Sequence, residues 1–151
     1  MLQDQFIRKA KLLDVIDGDT LKVEIDQGFN LRMITNIRLA GVDTPEVRGS
    51  EKIAGKFVAD RVVDFLHLRS PVDQQDILLT IKSEKFIQGK YGRCICKVYC
   101  QNDCLNDYLL QNRLAWHIDD RGKLIESRNI SNLKLPKNII AAVVSQNACD
   151  S

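Results

Sequence analysis

The hydrophobic pattern first changes period just past Pro45, and that change limits the fold more than any other feature. Before Pro45 the chain reads as strands. Residues 20–25 alternate, with Leu21, Val23 and Ile25 on one face, the period of a half-buried strand. Residues 6–16 stop at Asp17-Gly18, a strong hairpin signal. Asp26-Gln27-Gly28 predicts the next turn, and residues 30–42 a third strand that Pro45 ends. After Pro45, Ala54, Val58, Val62 and Leu66 recur every four residues, joined by Phe57 and Phe65. That predicts an amphipathic helix over 51–68, closed by Ser70-Pro71.

The rest completes a mainly β pattern with helices. Residues 77–81 predict a fourth strand, 83–92 a polar loop and 93–100 a fifth strand. Asn102 or Asp103 can cap a second helix through Leu105, Leu109 and Leu110, ending near Asn112. Residues 137–145 fit either a terminal helix or a strand. Three strands, a helix, two strands and a helix is the order of a five-stranded OB-fold barrel with two to three helices. Residues 1–120 form that domain, and 121–151 a C-terminal extension packed on it.

Composition narrows the partners. The chain has 151 residues, 44% hydrophobic and 28% charged, with a net charge of +2 and a mean hydropathy of −0.19. That is globular, and too nearly neutral to coat nucleic acid by bulk charge. A nucleic-acid partner needs locally placed charges. From Arg121 onward there are five basic and two acidic residues; the plainer reading of this basic tail is a solvated surface. No apolar run approaches the roughly 20 residues of a membrane span. Residues 1–15 lack an apolar signal core, which predicts a cytoplasmic protein, or a secreted one if a leader has been removed. A monomer is expected.

Three polar blocks sit at strand ends: Asp17-Gly18-Asp19-Thr20, Arg38 through Glu46, and Lys90-Tyr91-Gly92-Arg93. Asp19 shares parity with Leu21, Val23 and Ile25, and Asp43 with Leu39 and Gly41, so each carboxylate tops an inward row. Brought together they repel, and a bound cation resolves the cost. The oxygens of Asp19 and Asp43 with a carbonyl such as that of Thr44 select a hard cation, Ca2+ rather than Mg2+. Arg38 and Arg93 can fork onto phosphate. By parity Arg38 points away from Asp43, unless Gly41 bends the strand. Glu46, past the rigid Pro45, can hold or deprotonate a water. Together these suit phosphodiester hydrolysis.

These three blocks, in order and with compatible spacing, resemble the signature of the staphylococcal nuclease family. The resemblance runs from about Ile7 to about Ala115. It implies an OB-fold and Ca2+-dependent hydrolysis of DNA and RNA to 3′-phosphates. It makes Asp19 and Asp43 calcium ligands, with Thr44 contributing its carbonyl. Glu46 resembles the general base, Arg38 and Arg93 the phosphate-binding arginines, and Tyr91 a tyrosine near the nucleotide. Two further tyrosines of the staphylococcal enzyme are replaced here by Asp119 and Arg121; Trp116 offers a nearby aromatic surface, and His117 falls at the pocket's edge. Cys94, Cys96 and Cys100 share one strand parity, which predicts core thiols rather than a zinc knuckle. The alternative function is a catalytically weak or inactive OB module that binds nucleic acid or a protein partner.

Overall fold

In a computed structural model, which describes residues 5–73, 75–84 and 94–149, the chain opens with β1 (Ile7–Asp17), β2 (Thr20–Gly28) and β3 (Leu31–Leu39). They form an antiparallel meander, Val23 lying opposite Leu12 on one side and Thr35 on the other. After a short β4 (Val42–Asp43) comes α1 (Lys52–Arg69). β5 (Leu78–Ser83) then pairs antiparallel with β1, and β6 (Cys94–Cys100) antiparallel with β5. β6 also runs parallel to β3, Ile37 facing Cys94 and Leu39 facing Cys96. That pairing closes β1, β2, β3, β6 and β5 into a five-stranded barrel, the OB-fold. Closure leaves few unpaired strand edges.

The core follows the predicted parity. Leu21, Val23 and Ile25 are buried from β2, Ile37 and Leu39 from β3, and Cys96, Val98 and Cys100 from β6. α1 covers the barrel with Ala54, Val58, Val62, Phe65 and Leu66. Each fully buried Leu or Val contributes about 1.5–3 kcal/mol relative to exposure. α1 stops where Ser70 Oγ donates to the Leu66 carbonyl at 2.8 Å and Pro71 cannot continue the helix.

Local chemistry moved some boundaries. The β2–β3 turn lies at Phe29-Asn30, both left-handed (φ 54° and 63°), directly after the predicted Asp26-Gln27-Gly28. A paired left-handed turn matches the twist of the flanking strands, and Asn30 tolerates it. The third strand breaks at Gly41 (φ 77°) instead of running to Val42. After β7 (Asp103–Cys104), α2 (Leu105–Gln111) starts at Cys104 without a side-chain cap, so neither Asn102 nor Asp103 caps it. Its left-handed terminal residue is Arg113 (φ 52°), not Asn112. β8 (Trp116–His117) pairs with β4. The tail buries Leu133 and Leu135 and ends in α3 (Lys137–Cys149), which packs on α1 and buries Val143. The terminal segment is therefore a helix.

Candidate active site

The β1–β2 turn and the break after β3 meet at one end of the barrel. Asp19 is only 2% exposed. Its Oδ2 accepts the Thr44 N–H at 2.9 Å and its Oδ1 the Thr20 hydroxyl at 3.0 Å. Burial pushes the Asp19 carboxyl above its usual 3.8; the Arg38 charge and the Thr44 N–H pull it back only in part, and Asp43 nearby adds to the rise. The left-handed Gly41 turns the chain so that Arg38 reaches both acids. Its Nη1 pairs with Asp19 Oδ2, and its Nη2 lies 3.1 Å from Asp43 Oδ1 and 3.3 Å from the Val42 carbonyl. Arg38 and Asp43 thus share one site despite their opposite parity.

A second guanidinium completes the group. Arg128 comes from the basic tail, 85 residues beyond Asp43. Its Nε donates to Asp43 Oδ2 at 2.9 Å, its Nη1 to Glu51 Oε2, and its Nη2 to the Thr44 carbonyl at 3.3 Å. It also stacks on Trp116, 4.6 Å from the ring centroid. Burial disfavours the Arg128 charge, but Glu51 and Asp43 outweigh it and the group stays cationic. This part of the tail is therefore not the solvated surface that its composition suggests.

Glu46 lies on the exposed rim, and among the described residues nothing pairs with its carboxylate. Its backbone is held instead. The Glu46 N–H donates to Glu51 Oε1 at 3.1 Å and the Val47 N–H to Asp17 Oδ1 at 3.2 Å. Gly55 of α1 packs directly on this loop, since a Cβ there would sit 2.0 Å from the Glu46 carbonyl oxygen. Behind the site, Asn106 of α2 ties the end of β3 to β6. Its Nδ2 donates to the Ala40 carbonyl at 2.8 Å and the Cys96 carbonyl at 3.3 Å, and its Oδ1 accepts the Val98 N–H at 3.0 Å.

The site opens into a cleft of about 1000 Å3. Asp17, Asp19, Asp43, Glu46, Glu84 and Asp107 line it, against Arg38, Lys97 and Arg121. Such a cleft needs added positive charge before it can take a polyanion. Arg93 and Tyr91 fall outside the described residues. His117 and Asp119 line the cleft, but Asp119 Oδ1 also accepts the N–H groups of Arg121 and Lys123 at 2.9 Å each, shaping its own loop. Trp116 leaves no face open to a base: it is fully buried, beneath the Arg128 guanidinium and with its ring N–H donating to the Asn129 carbonyl at 3.1 Å. Glu51, Gly55, Asn106 and Arg128 were not singled out from sequence, and Asp17 only as part of its turn block. A glycine inside a good helical pattern was the one legible signal among them.

Among the described residues no three His, Cys, Asp or Glu side chains gather in metal-ligating geometry. The converging oxygens are two carboxylates and a main-chain carbonyl, with the Thr44 hydroxyl buried beside them and unpartnered. This all-oxygen set fits a hard divalent cation, and the two guanidinium groups drawn onto it show that it demands positive charge.

Fold and site together define an OB-fold barrel with a partly buried cluster of carboxylates and guanidinium groups at its end. The sequence comparison narrows the class. The family model described as staphylococcal nuclease homologue matches residues 36–135. This chain belongs to the staphylococcal nuclease family. It is 28% identical over 101 residues to the staphylococcal-like nuclease CAN1 of Arabidopsis thaliana, a match covering 65% of this chain and 27% of that protein. The chain thus spans about a quarter of that relative's length. Among the described residues no helix is long and apolar enough to cross a membrane.

Proposed function

We propose that this chain is a Ca2+-dependent phosphodiesterase that hydrolyses DNA or RNA to 3′-phosphate products. The observation that carries the proposal is the convergence of Asp19, Asp43 and Arg38 at one end of the barrel, with the Thr44 carbonyl on the Arg128 guanidinium that also pairs with Asp43. Asp19, Asp43 and Thr44 would hold the Ca2+, which supplies Lewis-acid stabilisation of charge building on the phosphate oxygens. Arg38 forks onto the same phosphate and strengthens its hold as negative charge accumulates. Arg93 is its partner in this reading, and Tyr91 contacts the nucleotide. Glu46, on the rim, orients the attacking water and takes its proton. Gly55 and Glu51 hold the Glu46 backbone in place.

The test is digestion of denatured DNA and of RNA in millimolar Ca2+ with and without chelator, followed by end-group analysis. The expected result is cleavage to 3′-phosphate ends that stops in chelator. Cleavage that persists in chelator would defeat the proposal. A second reading, a non-catalytic OB module, is favoured by one feature: both Asp43 oxygens are already engaged by arginines. Folded protein that binds single strands but cleaves none at any Ca2+ concentration would establish it.

A further inference from the structure

Arg128 spreads its three donor nitrogens over Asp43 Oδ2, Glu51 Oε2 and the Thr44 carbonyl. Two of these three acceptors belong to the set that would hold the divalent cation. We propose that Arg128 is a built-in counter-ion of this site, and that Ca2+ enters by displacing it from Asp43 and Thr44. The inference rests on the Ca2+ reading given above.

Three features carry it. The first is charge. A divalent cation on Asp43 would share that carboxylate with a guanidinium at hydrogen-bond distance, and two like charges that close repel strongly in a partly buried site. The second is the way out. The Arg128 side chain is 32% exposed, so it can swing to solvent without crossing the core. The third is the anchoring of its flanks, which lets the side chain leave while the tail stays. Glu126 forms a two-pronged pair with Arg113 at 3.0 and 3.3 Å, and the Asn129 carbonyl accepts the Trp116 ring N–H. Arg128 therefore holds the acid cluster together when no metal is bound, and sets a threshold that Ca2+ must exceed. Glu51 keeps its second oxygen on the Glu46 N–H, so the loop bearing Glu46 senses the exchange.

Trp116, the single tryptophan of the chain, lies under the Arg128 guanidinium and reports its departure. The experiment titrates CaCl2 into the full chain and into Arg128→Ala and Arg128→Lys, following heat by calorimetry and Trp116 emission in parallel. Arg128→Ala should bind Ca2+ about tenfold more tightly than the unsubstituted chain, within the usual range of coupling between linked binding events. In the unsubstituted chain Trp116 emission should shift to the red with the calorimetric midpoint; in Arg128→Ala it should start shifted and stay there. Arg128→Lys keeps the charge but cannot span three acceptors, so its affinity should fall between the two. It carries the comparison if the alanine variant does not fold.

Equal or weaker Ca2+ binding by folded Arg128→Ala would overturn the inference, because Arg128 would then organise the ligands rather than compete for them. Ca2+ binding to the unsubstituted chain with unchanged Trp116 emission would also overturn it, while leaving the Ca2+ reading intact. Absence of Ca2+ binding in every variant would defeat both.

Discussion

The β1–β3 meander and the segment from Trp116 to Leu135 meet at the same site but are built in different ways. The meander is one continuous ladder. β2 pairs with β3 residue by residue from Thr20 to Asp26, β1 follows with register shifts after Leu12 and Val15, and Asp19 stands as the polar end of the row Leu21, Val23, Ile25. The later segment has little regular structure beyond β8 and a 3-10 turn at Ile130–Asn132. It is held by individual polar bonds: Arg113 to Glu126 and to the Asn132 carbonyl, and Arg128 to Asp43. A ladder is cooperative and hard to break in part, whereas isolated bonds open singly. The contrast teaches that the barrel supplies a fixed acid pair, and the tail a cation that can be exchanged.

The largest effect should come from the fixed part. Arg38→Ala, assayed on denatured DNA at saturating Ca2+, should lower the cleavage rate at least about 100-fold, by analogy with the loss of a preorganised charge donor. Arg38→Lys should recover only part, because a point charge cannot fork. An unchanged rate in folded Arg38→Ala would remove the barrel end from the chemistry.

Next is Gly55→Ala. Its methyl group would collide with the Glu46 carbonyl, so either α1 or the loop must shift. Urea denaturation should show a loss of about 2–3 kcal/mol, the upper range for overpacking. An unperturbed midpoint would mean that the loop is not seated on α1. Asn106→Ala should cost about 1–3 kcal/mol, since it takes the side-chain partners from the Ala40 carbonyl and the Val98 N–H; the Cys96 carbonyl keeps the Ala40 N–H at 2.8 Å. Urea denaturation at about 25 °C is again the check: an unchanged midpoint would show that Asn106 does not hold these backbone groups.

The tail should respond far less. Glu126→Gln weakens a partly exposed ion pair and should cost under about 1 kcal/mol. If thermal melts show a loss like that of Asn106→Ala, the tail is part of the cooperative barrel and the contrast fails.

The smallest effect concerns the barrel thiols. Burial raises Cys96 from 9.0 to about 12, with Cys94 and Glu84 adding to the rise. At pH 8 the folded protein should therefore leave Cys96 unalkylated by iodoacetamide over hours, while the unfolded chain labels it readily. Between pH 9 and about 12 the unfolded chain gives up this proton and the folded one keeps it, so stability should fall as pH rises through that window. Rapid labelling of Cys96 in native protein would show that β6 opens locally.

The sequence by itself determined the barrel and half of the site. Period-two rows in β2, β3 and β6 put Leu21, Leu39 and Val98 inside, and the period-four stripe of α1 laid Val58 and Val62 across them. Those signals are local, because neighbouring residues on one element share a face. Asp19 and Asp43 were legible for the same reason, each standing at the end of such a row. Only the tertiary structure decided which charges meet them. Whether Arg38 reached Asp43 depended on the backbone at Gly41, where strand parity no longer applies. Arg128, Glu51 and Asn106 act across 85, 77 and 66 residues, and no periodicity links positions so far apart. A lone basic residue in an irregular tail carries its charge in the sequence, but its partner is chosen by the closed barrel that presents Asp43 to the tail.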